Sequence, residues 1–153
     1  MSELDDYLFL QSLLVARIGE KVPGLAFVGG LADLQDVVAE QRPSPAVYVS
    51  YLGDGAPAVG QAQPTARGLR VVSQYWSVLL AERKPTAAGQ EQKAGRLLSS
   101  LIGSLTDWSP SALARPLVRT AQQPPATYRD GCFYYPLVFE LSLIFPQTRP
   151  SGM

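Results

Sequence analysis

At 153 residues, 46% of them hydrophobic, the chain has the size of one globular domain and enough apolar side chains for a single core. Thirteen basic and thirteen acidic residues cancel to a formal charge of zero. No net field therefore draws the protein onto a polyanion or an acidic membrane, and specific nucleic-acid binding is not expected.

The N-terminus, "MSELDDYLFLQSLLVARIGEK", opens on acids and lacks both a basic n-region and a small-residue cleavage site, so it reads as a cytoplasmic product. Ser2 stands three residues before Asp5, a capping-box spacing. Leu8, Leu10, Leu13, Leu14, Val15 and Ile18 then predict a helix to about Lys21, which Pro23 and Gly24 end. "LAFVGG" is a candidate first strand and "ADLQDVVAEQ" a short helix or turn before Pro43. "PAVYVSYL", bounded by Pro45 and Gly53, has strand composition.

Residues 53–68, "GDGAPAVGQAQPTARG", offer glycine and proline with almost no large apolar side chain. They predict a long mobile loop that orders on partner contact. "LRVVSQYWSVLLAER" resumes as a strand, with Val72, Gln74, Trp76, Val78 and Leu80 on one face, so the two strands form a hairpin with an oversized connection. Ala94, Leu97, Leu98, Leu101, Ile102 and Leu105 follow helical spacing, opposite Glu91, Lys93, Arg96, Ser99, Ser100 and Ser104. This predicts an amphipathic helix lying on a sheet and ending near Leu105 to Asp107, because Pro110 forbids continuation and Gly103 weakens the last turn.

"LARPLVRTA" and "CFYYPLVFELSLIF", separated by "QQPPATYRDG", read as two more strands. In the last, Phe133, Tyr135, Leu137, Phe139, Leu141, Leu143 and Phe145 alternate onto one face and should centre the core. Pro136 cannot donate a ladder hydrogen bond and points to an edge strand or a bulge. The expected fold is α+β. It is a single domain over residues 1–146, with an antiparallel or mixed sheet of about four to five strands packed by two main helices, and 147–153 form a flexible tail.

Catalytic templates are scarce. Without histidine there is no serine–histidine triad, cysteine–histidine dyad or HExxH zinc site. The single cysteine, Cys132, closes no intramolecular disulfide and forms no CxxC pair. "GDGAPAVG" matches neither GxGxxG nor GxxxxGK[ST]. No cofactor or metal is expected, and no apolar stretch approaches the ~20 residues that cross a bilayer. The even face of the last strand still offers Tyr134, Val138, Glu140 and Ile144, and Arg67 and Arg70 flank the long loop. These six are the candidate subunit or partner interface, since apolar surface on a sheet face and arginine both favour association.

The series "PAVYV" (45–49), "QYWSV" (74–78), "AGRLLSSLIGSLTDWSP" (94–110) and "YYPLVFEL" (134–141) resembles the tail terminator, or tail completion, proteins of long-tailed bacteriophages and prophages, over residues 1 to about 146. The resemblance implies a structural virion protein without catalysis or cofactor, assembled in the bacterial host cytoplasm. It implies a ring, commonly a hexamer, that caps the tail tube, ends its growth and joins it to a head-completion or connector protein. In that setting Trp108 is a packing wedge where the helix leaves the sheet, and Pro110 turns the chain towards the next strand. Another ring or tube subunit of the tail is the alternative. A small carboxylate enzyme is a further one, and it requires convergent acids in a pocket.

Overall fold

The computed structural model describes residues 6–35, 41–55, 69–85 and 92–146. Its elements are α1 (Leu10–Lys21), β1 (Phe27–Gly30), α2 (Ala32–Gln35), β2 (Ala46–Gly55), β3 (Leu69–Arg83), α3 (Ala94–Leu105), β4 (Val118–Arg119), β5 (Thr127–Arg129) and β6 (Cys132–Pro146). The class is α+β with a mixed sheet. Its order is β1-β2-β3-β6-β4, with β5 also on β6. The pair β1–β2 is parallel, joined through α2, and the remaining ladders are antiparallel. Six strands and three helices slightly exceed the number read from sequence.

The helices α1 and α3 pack on one face of this sheet and on each other. Helical spacing places Leu10, Leu14 and Ile18 of α1, and Ala94, Leu97, Leu101 and Leu105 of α3, in the core. Alternation along the strands brings Val47, Val49, Trp76, Val78, Leu80, Leu137, Phe139, Leu141 and Leu143 to meet them. Each large side chain so buried contributes about 1.5–3 kcal/mol against the entropy of ordering the chain. Gln74 is fully buried among these residues, and both ends of its amide are used. Its Nε2 donates to the Tyr7 carbonyl at 2.9 Å, and its Oε1 accepts from Trp76 Nε1 at 3.1 Å.

Several boundaries differ from the sequence reading, each for a local reason. α1 starts at Leu10, where Asp6 Oδ1 accepts from the Leu8 amide and Leu8 itself is exposed; Ser2 and Asp5 lie outside the described residues. β2 continues to Gly55, because an irregularity between Tyr51 and Gly53 sets Leu52 out of register and lets pairing resume. The first three residues of the expected loop therefore belong to a strand, and 56–68 lie outside the described residues.

β6 has partners on both sides and is not an edge strand. Leu113, Arg115 and Thr120 pair with Ile144, Ser142 and Val138 along the side away from β3. Even-numbered residues of β6 direct their backbone groups to that side. Pro136, also even, falls between the stretches paired by β4 and β5, where a missing amide proton costs no ladder bond.

Candidate interaction surface

The sheet face away from α1 and α3 divides into two halves. Near the start of β2, the residues Ala46, Tyr48, Ala81, Cys132 and Tyr134 form a second small core, closed by Phe27, Leu34 and Leu79. Burial pushes the Tyr48 hydroxyl pKa up, with the Arg42 guanidinium opposing it. Towards the end of β6, Val71, Tyr75, Ser77, Glu140, Ser142 and Ile144 are half-buried around Ser73, which is 1% exposed, and no described helix or strand packs over them. Beside them Val118, paired with Glu140, is 55% exposed.

The four β6 residues expected at an interface are distributed unevenly over this face. Glu140 and Ile144 lie on the half that no described helix or strand covers, opposite Tyr75 and Val71. Val138 is 8% exposed, and its backbone is gripped by the Gln123 side chain, which donates to its carbonyl at 3.0 Å and accepts from its amide at 2.9 Å. Tyr134 is 7% exposed in the second core, with the Arg129 guanidinium over its ring at 5.8 Å and Arg42 Nη1 donating to its hydroxyl at 3.4 Å. Both are thus covered by their own subunit. The backbone of Arg70 is in β3, and Arg67 lies outside the described residues.

At the far end of β2 a polar cluster ties the N-terminal segment to the sheet. Tyr7 Oη lies 2.8 Å from both Asp54 carboxylate oxygens, and Tyr51 Oη donates to Oδ1 at 2.6 Å. Burial and then the Asp54 contact push the Tyr7 hydroxyl up to about 12, and the Asp54 contact followed by burial does the same for Tyr51. Both phenols therefore remain donors throughout the neutral range.

Trp108 is half-buried against the core where α3 ends. The Thr106 amide donates to the Ile102 carbonyl, Asp107 takes a positive φ of 61°, and Leu117 donates to the Trp108 carbonyl while accepting from the Asp107 amide, which ties the chain after α3 to the segment before β4. The Arg17 guanidinium covers the ring at 4.9 Å while its Nε donates to the Ser104 carbonyl, which fastens α1 to the end of α3.

One element went unread in the sequence. Within the connection taken as a loop, Thr127–Arg129 pairs with Cys132–Tyr134 across the two-residue turn Asp130-Gly131, whose φ values of 53° and 80° are both positive. Asp-Gly is the dipeptide that such a turn requires, and the flanking Tyr128 and Phe133 rings pack 4.7 Å apart.

A groove of about 660 Å³ between α1 and β1 is lined by Asp6, Leu8, Gln11, Ser12, Val15, Ala16, Gly29 and Gly30. Asp6 is its lone carboxylate among the described residues, so it offers no acid/base pair. Among the described residues no group of three or more cysteine and carboxylate side chains is placed to hold a metal, and no described helix is long and apolar enough to cross a membrane.

The described residues thus form a mixed sheet with two helices on one face. No curated protein matches the chain. The family model described as phage tail terminator protein matches residues 4–150, nearly the whole length, and the chain belongs to that family of phage tail structural proteins.

Proposed function

We propose that the protein caps the end of a phage tail tube as a ring of identical copies, stopping tube growth and providing the surface to which the head is joined. Its partners are then itself, the tail tube protein and a head-completion or connector protein, brought together in the host cytoplasm. Membership of the terminator family supports this reading. The observation that carries it is the half of the sheet face around Glu140 and Ile144, which no described helix or strand covers and which is continuous with the exposed Val118. A head-to-tail contact between that face and a different patch of the next copy closes into a ring when the rotation between copies divides a full turn. A hexamer is the expected number by analogy with the family. Arg67 and Arg70 are candidates for the subunit or tail-tube contact.

The test is tail assembly with and without the protein. Tails made in its absence should be uncapped or irregular in length under the electron microscope. Adding the purified protein should give ends bearing an annular density and restore head attachment. Tails of normal length that join heads without it would sink the reading.

A further inference from the structure

The sheet path ends on β1 at one side and on β4 at the other, and each end presents exposed apolar side chains beside a charge. At the β4 end the chain lies along β6. The Arg115 amide donates to the Ser142 carbonyl at 2.9 Å and the Ile144 amide to the Leu113 carbonyl at 2.8 Å, which sets Arg115 opposite Ser142 and Leu113 opposite Ile144. Val118 stands opposite Glu140. Residues opposite one another across a ladder share a face, so Arg115 and Val118 join Glu140, Ser142 and Ile144 on the face away from α1 and α3. Both are exposed.

At the β1 end the open surface is on the other face, where α1 packs. Gly29 and Gly30 line one side of the groove between α1 and β1, and Leu8, Ser12 and Val15 line the other. Leu8 is 39% exposed. Asp6, also exposed, lines the same groove and is held there by accepting from the Leu8 amide at 2.9 Å. Among the described residues neither Asp6 nor Arg115 has an ion-pair partner.

We infer that these two ends meet between copies of the chain: the Arg115–Val118 patch of one subunit seats on the α1–β1 groove of the next, Arg115 against Asp6 and Val118 against Leu8 and Val15. The inference rests on the ring reading above and names the second patch that such a ring requires. Opposite charges, each beside exposed apolar side chains, make the two surfaces complementary. They lie at opposite edges and on opposite faces of one sheet, so they cannot meet within a subunit. Successive copies then overlap as shingles do, the back of one edge on the front of the next, and this head-to-tail contact uses every patch once the ring closes. A formal charge of zero leaves no net repulsion between copies.

Glu140 offers a competing arrangement, because it shares the patch with Arg115. Two such patches facing each other about a two-fold axis would set Arg115 of each copy against Glu140 of the other. That contact stops at a dimer and leaves the Asp6 groove bare.

Exchanging the charges separates the two. Solution mass is measured across protein concentration, alone and with tail tubes, for D6R, R115D and the chain carrying both. Either reversal alone should raise the concentration at which rings form by at least about tenfold, and the double variant should return it to within about threefold of the wild type, because each contact then holds the same pair reversed. Asp6→Asn, which keeps an acceptor for the Leu8 amide, should raise it by a smaller factor. Rescue by the second reversal cannot come from repaired folding, since the two sites are at opposite edges of the sheet.

Rings of D6R that form as the wild type does would overturn the pairing. So would an R115D defect that D6R fails to rescue, which would direct Arg115 to Glu140 or to another protein. Intact wild-type rings that neither reversal disturbs would overturn the pairing alone, whereas a wild-type protein that forms no ring even on tubes would overturn the ring reading and the pairing with it.

Discussion

The two faces of the sheet are built on different rules. The face under α1 and α3 is a continuous apolar core in which Trp76, Val78, Leu80, Phe139 and Leu143 are 0–1% exposed, and its one amide, Gln74, is fully partnered. The other face is a short closed core at one end and, at the other, a half-buried surface of Ser77, Glu140, Ser142, Val71 and Ile144. The first face carries most of the buried apolar side chains, and half of the second is the proposed contact. Strands can serve both because alternate residues point to opposite sides.

The comparison is broken most severely from the core side. Phe139→Ala, at 0% exposure, should cost about 3–5 kcal/mol in denaturant unfolding, while an equivalent truncation of Ile144 should cost far less. Equal losses would mean that the second face is also core. Gln74→Leu should cost about 1–3 kcal/mol, because the Trp76 indole N–H and the Tyr7 carbonyl lose their partners inside the core. A neutral result would show that water reaches them.

The Tyr7–Tyr51–Asp54 cluster at the end of β2 gives a pH signature. With folded pKa values raised from 10.0 to about 12, each phenol holds its proton more tightly in the folded state. The stability this represents is whole below pH 10 and is lost as pH rises through about 12. An ultraviolet titration should show these tyrosines ionising late, and Asp54→Ala should bring the Tyr51 midpoint back towards its ordinary value. An unchanged midpoint would remove Asp54 as the cause.

The smallest effect on stability is expected at Gly103. Nothing lies within 4 Å of where its Cβ would stand on the exposed side of α3, so Gly103→Ala should stabilise the protein by about 0.5–1 kcal/mol without altering assembly.

How far this organisation could be read from sequence depended on periodicity. Ala94, Leu97, Leu101 and Leu105 announced α3 with its bounds, and the odd residues from Leu137 to Leu143 announced the core strand, because both patterns repeat over many residues. The Thr127–Arg129 strand was invisible to periodicity at three residues, although its Asp-Gly turn was written in the chain. Alternation also assigned Tyr134 and Val138 to the outer face correctly. It could not show that Arg42 and Gln123 would reach over from distant positions to contact the Tyr134 hydroxyl and the Val138 backbone. Coverage of a sheet face is a tertiary property, and among the described β6 candidates Glu140 and Ile144 are the two that no described helix or strand covers.

The central claim is that the uncovered face joins copies into a ring, and the most direct measurement is the solution mass of the wild-type protein beside that of Ile144→Asp, alone and mixed with tail tubes. The wild type should show a closed oligomer, expected to be a hexamer, alone or once tubes are present. The variant should remain a folded monomer under both conditions, because an unpaired charge buried in a contact costs several kcal/mol. A wild-type protein that stays monomeric even on tubes, or an Ile144→Asp variant that assembles as the wild type does, would contradict it.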